Sequence, residues 1–164
     1  SWRCATREGT MAPSSTDDPH ALRRFTSEQV HYHPIALAEI QQGRKSSCWA
    51  WYILPTPPFL RNGVPVGSPM NRMYELADDD QARAYLSFEA DGVNLRDNYV
   101  AILTEAARHL EQGVSPSRLM GIDAPRLLAS AKLFVRIASE QGDEPVRSVC
   151  DRVVRALEKP SPNT

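Results

Sequence analysis

Apolar positions return at helical spacing along most of the chain, and capping residues separate one run from the next. The clearest run lies over 93–112. There Leu95, Tyr99, Ile102, Leu103, Ala106 and Leu110 keep one face apolar, and Gly113 closes the helix. Asp123 with Pro125 predicts a helix that carries Leu127, Leu128, Ala131, Phe134, Val135 and Ala138 and stops at Gly142. Asp143, Glu144 and Pro145 open a last helix with Val146, Val149, Cys150, Val153 and Leu157 inward. Ser115-Pro116 opens a short turn, and Asp78 to Asp80 put acids at the positive end of the helix that begins "QARAYL". Nearer the start, Asp18-Pro19 predicts an N-cap and a first-turn proline for a short helix with Leu22 and Phe25 inward. His33-Pro34 predicts a restart, and Gly43 ends that second helix. Residues 55–69 hold five prolines and two glycines, which predicts an irregular loop. The apolar run "CWAWYIL" over 48–54 fits a buried strand or two turns of buried helix, and with no partner strand in view the helix is favoured.

These elements predict an all-α fold, a single compact domain of about six or seven helices over residues 18–158. An extended N-terminal arm covers 1–17 and a tail covers 159–164. A chain of 164 residues is long enough to bury a core of its own. Its net charge of −1 lacks the basic excess of a nucleic-acid binder, so no nucleic-acid partner is expected. No apolar stretch approaches the roughly 18 residues that span a bilayer, so no transmembrane segment is expected. Cys4, Cys48 and Cys150 form no CxxC pair and no even-numbered framework, which argues against a disulfide scaffold and for a reducing compartment or the mitochondrial matrix. The chain starts with Ser1, which fits a processed terminus as well as a true start at Met11.

"LRRFTSEQVHYHPIALAEIQQGRKSSCWAWYILP" carries Leu22, Arg24, Phe25, Gln29, Tyr32, Ala36, Leu37, Glu39, Ile40, Gly43, Lys45, Ser47, Trp49, Trp51, Tyr52 and Pro55. In that order they resemble the opening of the bacterial family of domain of unknown function DUF1810. "SPMNRMYELADDDQARAYL" and "MGIDAPRLLASAKLF" are similar to later segments of it, so the resemblance covers about residues 20–157. It implies an all-α fold and supplies no reaction. Cys48 stands where the family pattern has His, Thr56 where it has Gln, Arg126 where it has Lys, Ala129 where it has Ser and Lys132 where it has Thr. Packing positions fit the pattern while several polar ones do not, which suggests a fold kept as a scaffold.

Candidate chemistry concentrates in "GRKSSCWAWYILPTPPF", residues 43–59. Arg44 and Lys45 could meet an anion while Trp49 or Trp51 stacks on a ring. Alternatively both indoles are core anchors and the cations sit in water. Arg96, Arg126 and Ser130 are weaker candidates for the same groove, by analogy with the family's polar positions. No nucleophile and base are paired, so no catalytic residue is assigned. His31, His33 and Cys48 lack a fourth zinc ligand, and the aspartates at 78–80 read as a solvated cap, so neither metal nor cofactor is expected. The proline-rich loop offers Phe59, Leu60 and Val64 for docking, with Trp2 in the arm as a second anchor. These features point to a non-catalytic interaction module, an accessory subunit of a larger and possibly respiratory mitochondrial assembly whose partners are other protein subunits. The alternative is a small-molecule binder or enzyme acting on an anionic, ring-bearing ligand such as a nucleotide.

Overall fold

The computed structural model describes residues 17–159. It is mainly helical, as the periodicity predicts. The helices are α1 (Arg23–Gln41), α2 (Ala50–Ile53), α3 (Pro69–Tyr74), α4 (Asp79–Tyr85), α5 (Leu95–Glu111), α6 (Pro116–Met120), α7 (Ala124–Gln141) and α8 (Glu144–Glu158). A 3-10 turn over Gly121–Asp123 joins α6 to α7. Helix α7 packs along α8, α8 along α5 and α5 along α1. Trp49, Leu103 and Phe134 are fully enclosed and Val149 is buried, as expected of their apolar faces. No helix among the described residues is long and apolar enough to cross a membrane.

The caps expected at Asp78, Ser115 and Asp143 form, Asn94 adds one that was not expected, and Asp123 makes no cap hydrogen bond because its carboxylate pairs with Lys45. Asp78 accepts from Gln81 N at 2.9 Å, Asn94 from Asp97 N at 3.0 Å, Ser115 from Arg118 N at 3.2 Å and Asp143 from Val146 N at 3.3 Å. Two boundaries differ. Asp18 does cap, but its carboxylate takes the amides of Leu22 and Arg23, at 2.6 and 2.9 Å. Ala21 has φ +54°, a left-handed conformation that excludes a helix starting at Pro19. The expected restart at His33-Pro34 does not occur, and α1 runs through Pro34. An interior proline costs about 3 kcal/mol. Burial of Phe25, Gln29, Ala36 and Ile40 along one continuous face offsets that cost.

The segment expected as an irregular loop contains a hairpin. Strand β1 (Phe59–Arg61) pairs antiparallel with β2 (Val64–Val66) around Asn62-Gly63. A second hairpin, β3 (Glu89–Ala90) with β4 (Val93–Asn94), turns at Asp91-Gly92. Both turns have positive φ at their two central residues, 52° and 78° in the first, 57° and 73° in the second. That is the geometry which Asn-Gly and Asp-Gly favour in two-residue hairpins. Asn62-Gly63 and Asp91-Gly92 are the local sequence signal for the two hairpins. "CWAWYIL" forms a helix, as favoured, but only the single turn of α2.

Aromatic rings tie the helices together in a continuous chain. Tyr32 stacks on Tyr52 at 5.0 Å, Tyr52 meets Tyr74 edge-on at 4.9 Å, and Tyr74 meets Phe25 at 5.8 Å. Phe25 then meets Tyr85 at 5.2 Å, Tyr85 meets Phe134 at 5.5 Å and Phe134 meets Tyr99 at 4.8 Å. At the centre, Gln29 donates to the Tyr52 carbonyl at 2.8 Å and to the Tyr85 hydroxyl at 3.1 Å, and accepts from Asn98 at 3.0 Å. A buried amide with these partners fixes where α1, α2, α4 and α5 meet.

Candidate functional site

The segment that leads from α1 into α2 is organised by one carboxylate. Glu39 sits in the last turn of α1. Its Oε1 accepts from Ser46 N at 2.7 Å, Ser47 N at 3.0 Å and the Trp49 indole Nε1 at 2.9 Å. Its Oε2 accepts from the Ser47 hydroxyl. Burial alone would raise the Glu39 carboxyl, but these hydrogen bonds outweigh it and leave the group below its usual value. Lys45 lies over the Trp49 ring at 4.9 Å, donates to the Ser47 carbonyl at 2.5 Å and pairs with Asp123 at 2.9 Å. Its backbone amide reaches the Leu119 carbonyl at 2.7 Å. The polar atoms around Trp49 are therefore occupied by the protein itself. Trp49 is a core anchor inside a polar collar.

The other candidates occupy separate places. Arg44 is exposed, and its side chain has no partner among the described residues. Trp51 is half-buried and edge-on to Tyr52 at 6.1 Å. Arg96 makes a two-pronged pair with Asp143, both contacts 2.8 Å, and so clamps α5 to the start of α8. Ser130 is fully buried and shares a 2.9 Å hydrogen bond with the Tyr99 hydroxyl inside the α5–α7 seam. With Trp49 and Ser130 both at 0% exposure, neither can line an open groove. Trp2 lies outside the described residues.

Arg126 differs from these. It stands in the first turn of α7 and is only 9% exposed. One guanidinium nitrogen donates to the Leu54 carbonyl at 3.2 Å and another to Asn71 Oδ1. Both acceptors are neutral, and Arg126 makes no ion pair among the described residues. Burial pulls the guanidinium below its ordinary value, and Asp123 partly opposes this. Asp123, however, is already paired with Lys45. The Phe59 ring lies 5.7 Å from the guanidinium carbon. A residue expected to bind a ligand and one expected to bind a partner thus form a single site where α7, α3 and the β1–β2 hairpin meet. Sequence spacing offered no route to it, since Arg126 and Asn71 lie far apart in the chain.

Nucleophilic chemistry has little foothold. Cys48 is half-buried and disulfide-bonded, so no free thiol is available there. Cys150 is a free thiol but fully buried, and burial pushes it up to about 12. No cluster of three or more metal-ligating side chains occurs among the described residues.

The family model described as protein of unknown function (DUF1810) matches residues 19–161. The chain belongs to this family. A solved structure similar to this DUF1810 chain is the conserved hypothetical protein Rv1873 from Mycobacterium tuberculosis, with a TM-score of 0.66 and 24% identity over 88% of this chain and 100% of that one. At that identity the likeness concerns the fold alone. No curated protein matches the chain.

Proposed function

We propose that this DUF1810 chain is a non-catalytic helical interaction module, an accessory subunit that docks onto other proteins through its β1–β2 hairpin. One observation carries the reading. Five large apolar side chains are exposed among the described residues, and three of them, Phe59, Leu60 and Val64, share this one short hairpin. Exposed apolar clusters on an otherwise well-packed surface mark interaction sites. Two further observations support it. Most of the polar residues expected to bind a ligand are spent on internal contacts, and the free thiol is enclosed.

The test is assembly. Full-length tagged chain, expressed in its source cells, is separated by native electrophoresis beside the double variant Leu60→Ser, Val64→Ser. Both side chains are more than half exposed, so the variant keeps its fold. The parent chain should migrate in a larger complex, and the variant as a free monomer. Co-migration of the two, or a parent chain that migrates alone, would defeat the docking role.

A further inference from the structure

The hairpin is not uniformly apolar, and its charges specify what can sit on it. Cross-strand partners share a face of an antiparallel pair, and alternate residues return to that face. The register Phe59↔Val66, Leu60↔Pro65, Arg61↔Val64 therefore puts Phe59, Arg61, Val64 and Val66 on one face. That face carries Phe59, which adjoins Arg126. Arg61 is exposed and its side chain has no partner among the described residues. Two cations without a carboxylate thus share one apolar surface, one at its tip and one at its base. The neighbouring acids are engaged elsewhere. Glu75 pairs with Arg72 at 3.1 Å and Asp123 with Lys45 at 2.9 Å. Arg72 also donates to the Pro65 carbonyl at 3.2 Å, which occupies the outer edge of β2. The outer edge of β2 also lacks the Pro65 amide. Contact is left to the face and to β1.

A buried charge is expected to have a counter-ion, because isolating it in a low dielectric is costly. Arg126 has five N–H donors. The protein supplies it with Leu54 O and Asn71 Oδ1, and nothing charged. We infer that the occupant of this hairpin is a partner segment that presents apolar and acidic side chains together on one face, and that one of its carboxylates neutralises Arg126. The inference rests on the docking role proposed for the hairpin and adds the chemistry of the partner. Its leucine- or valine-like side chains cover Phe59 and Val64. One acid approaches Arg126 beside Phe59, and another on the same face meets Arg61.

The test uses defined probes and the full chain. An acetylated, amidated hexapeptide of two glutamates, two leucines and two glutamates in that order, which carries both residue types on each face when extended, and its glutamine-for-glutamate counterpart are titrated at low ionic strength and followed by amide chemical shifts of residues 59–66. The acidic peptide should bind at least roughly tenfold more tightly, as a charge-assisted pair implies. Arg126→Gln should cut that preference to the several-fold share that Arg61 supplies while keeping the weaker binding of the glutamine peptide. Should Arg126→Gln misfold, Arg61→Gln on the exposed tip still decides. It should weaken the acidic peptide several-fold and leave the other unchanged. Equal binding of both peptides by the parent chain would overturn the carboxylate claim and leave hairpin docking intact. No shift with either peptide overturns the acidic partner, while docking as such is judged by the native-complex assay. Inorganic phosphate is a further arm. If phosphate alone shifts Asn71 and Arg126 while the peptides do not, the site takes a free oxyanion and the partner proposal fails.

Discussion

Glu39 decides whether the tryptophan segment is a working groove or a packed collar, so its removal is the most informative perturbation. Glu39→Ala deletes the acceptor of two backbone amides, one hydroxyl and one indole N–H. The Trp49 ring is fully buried, so its N–H is left orphaned at a cost of about 1–3 kcal/mol. The Ser47 amide is half-buried and loses a bond to a charged group, while Ser46 is exposed and can turn to water. Adding roughly 1 kcal/mol for the Ser47 pair gives a total of about 3 kcal/mol. For a chain of this length that lowers Tm by roughly 6–12 °C. Glu39→Gln keeps one carbonyl oxygen and should cost about half as much. Urea unfolding, followed together by far-ultraviolet circular dichroism and tryptophan fluorescence, measures both. The depressed carboxyl adds a check on sign. Its stabilisation is present above the unfolded carboxyl value of about 4.5 and is lost as pH falls through the lower folded value. The gap between parent and Glu39→Gln should therefore narrow in acid. A Glu39→Ala loss below about 1 kcal/mol would show that the collar does not hold Trp49, and the groove interpretation would return.

Three more outcomes are expected. Phe134→Ala removes a fully buried ring that touches Tyr85 and Tyr99 and should cost about 3–5 kcal/mol in urea unfolding, and a near-neutral midpoint would mean its face was misassigned. Cys150 should resist a thiol reagent at pH 8 in the folded chain and react only after denaturant is added, since burial lifts its thiol to about 12, so rapid native labelling would contradict its enclosure. His33 has a buried Nδ1 without a hydrogen-bond partner, and burial lowers its proton affinity below the usual 6.5. The folded state therefore binds that proton less well than the unfolded state, so stability should fall as pH drops below about 6.5. His33→Gln should remove that part of the fall, and parallel curves for the two proteins would refute the burial argument.

Helix type and core faces were legible because they depend on local chemistry. Residues three and four apart meet on a helix wherever it sits, so Leu95, Tyr99, Ile102 and Leu103 declared their common face without reference to any other element. The caps at Asp78, Asn94, Ser115 and Asp143 act within three residues, which is why most boundaries could be placed. Even the hairpins were written locally, in Asn62-Gly63 and Asp91-Gly92, though the prolines around the first masked it. What only the tertiary structure decided is which polar groups meet and which are left over. Pro34 marks a helix boundary by local rules, yet burial on both sides of it carries α1 through. Lys45 and Arg126 are both candidate groove cations in the sequence reading. The fold gives Lys45 a carboxylate from the 3-10 turn and gives Arg126 only neutral oxygens. The balance between burial and counter-charge at each depends on residues far off in the chain, 72 positions away for Arg126 and further still for Lys45. That partition is a property of packing, and it turned the candidate site from the tryptophan segment to the hairpin above Arg126.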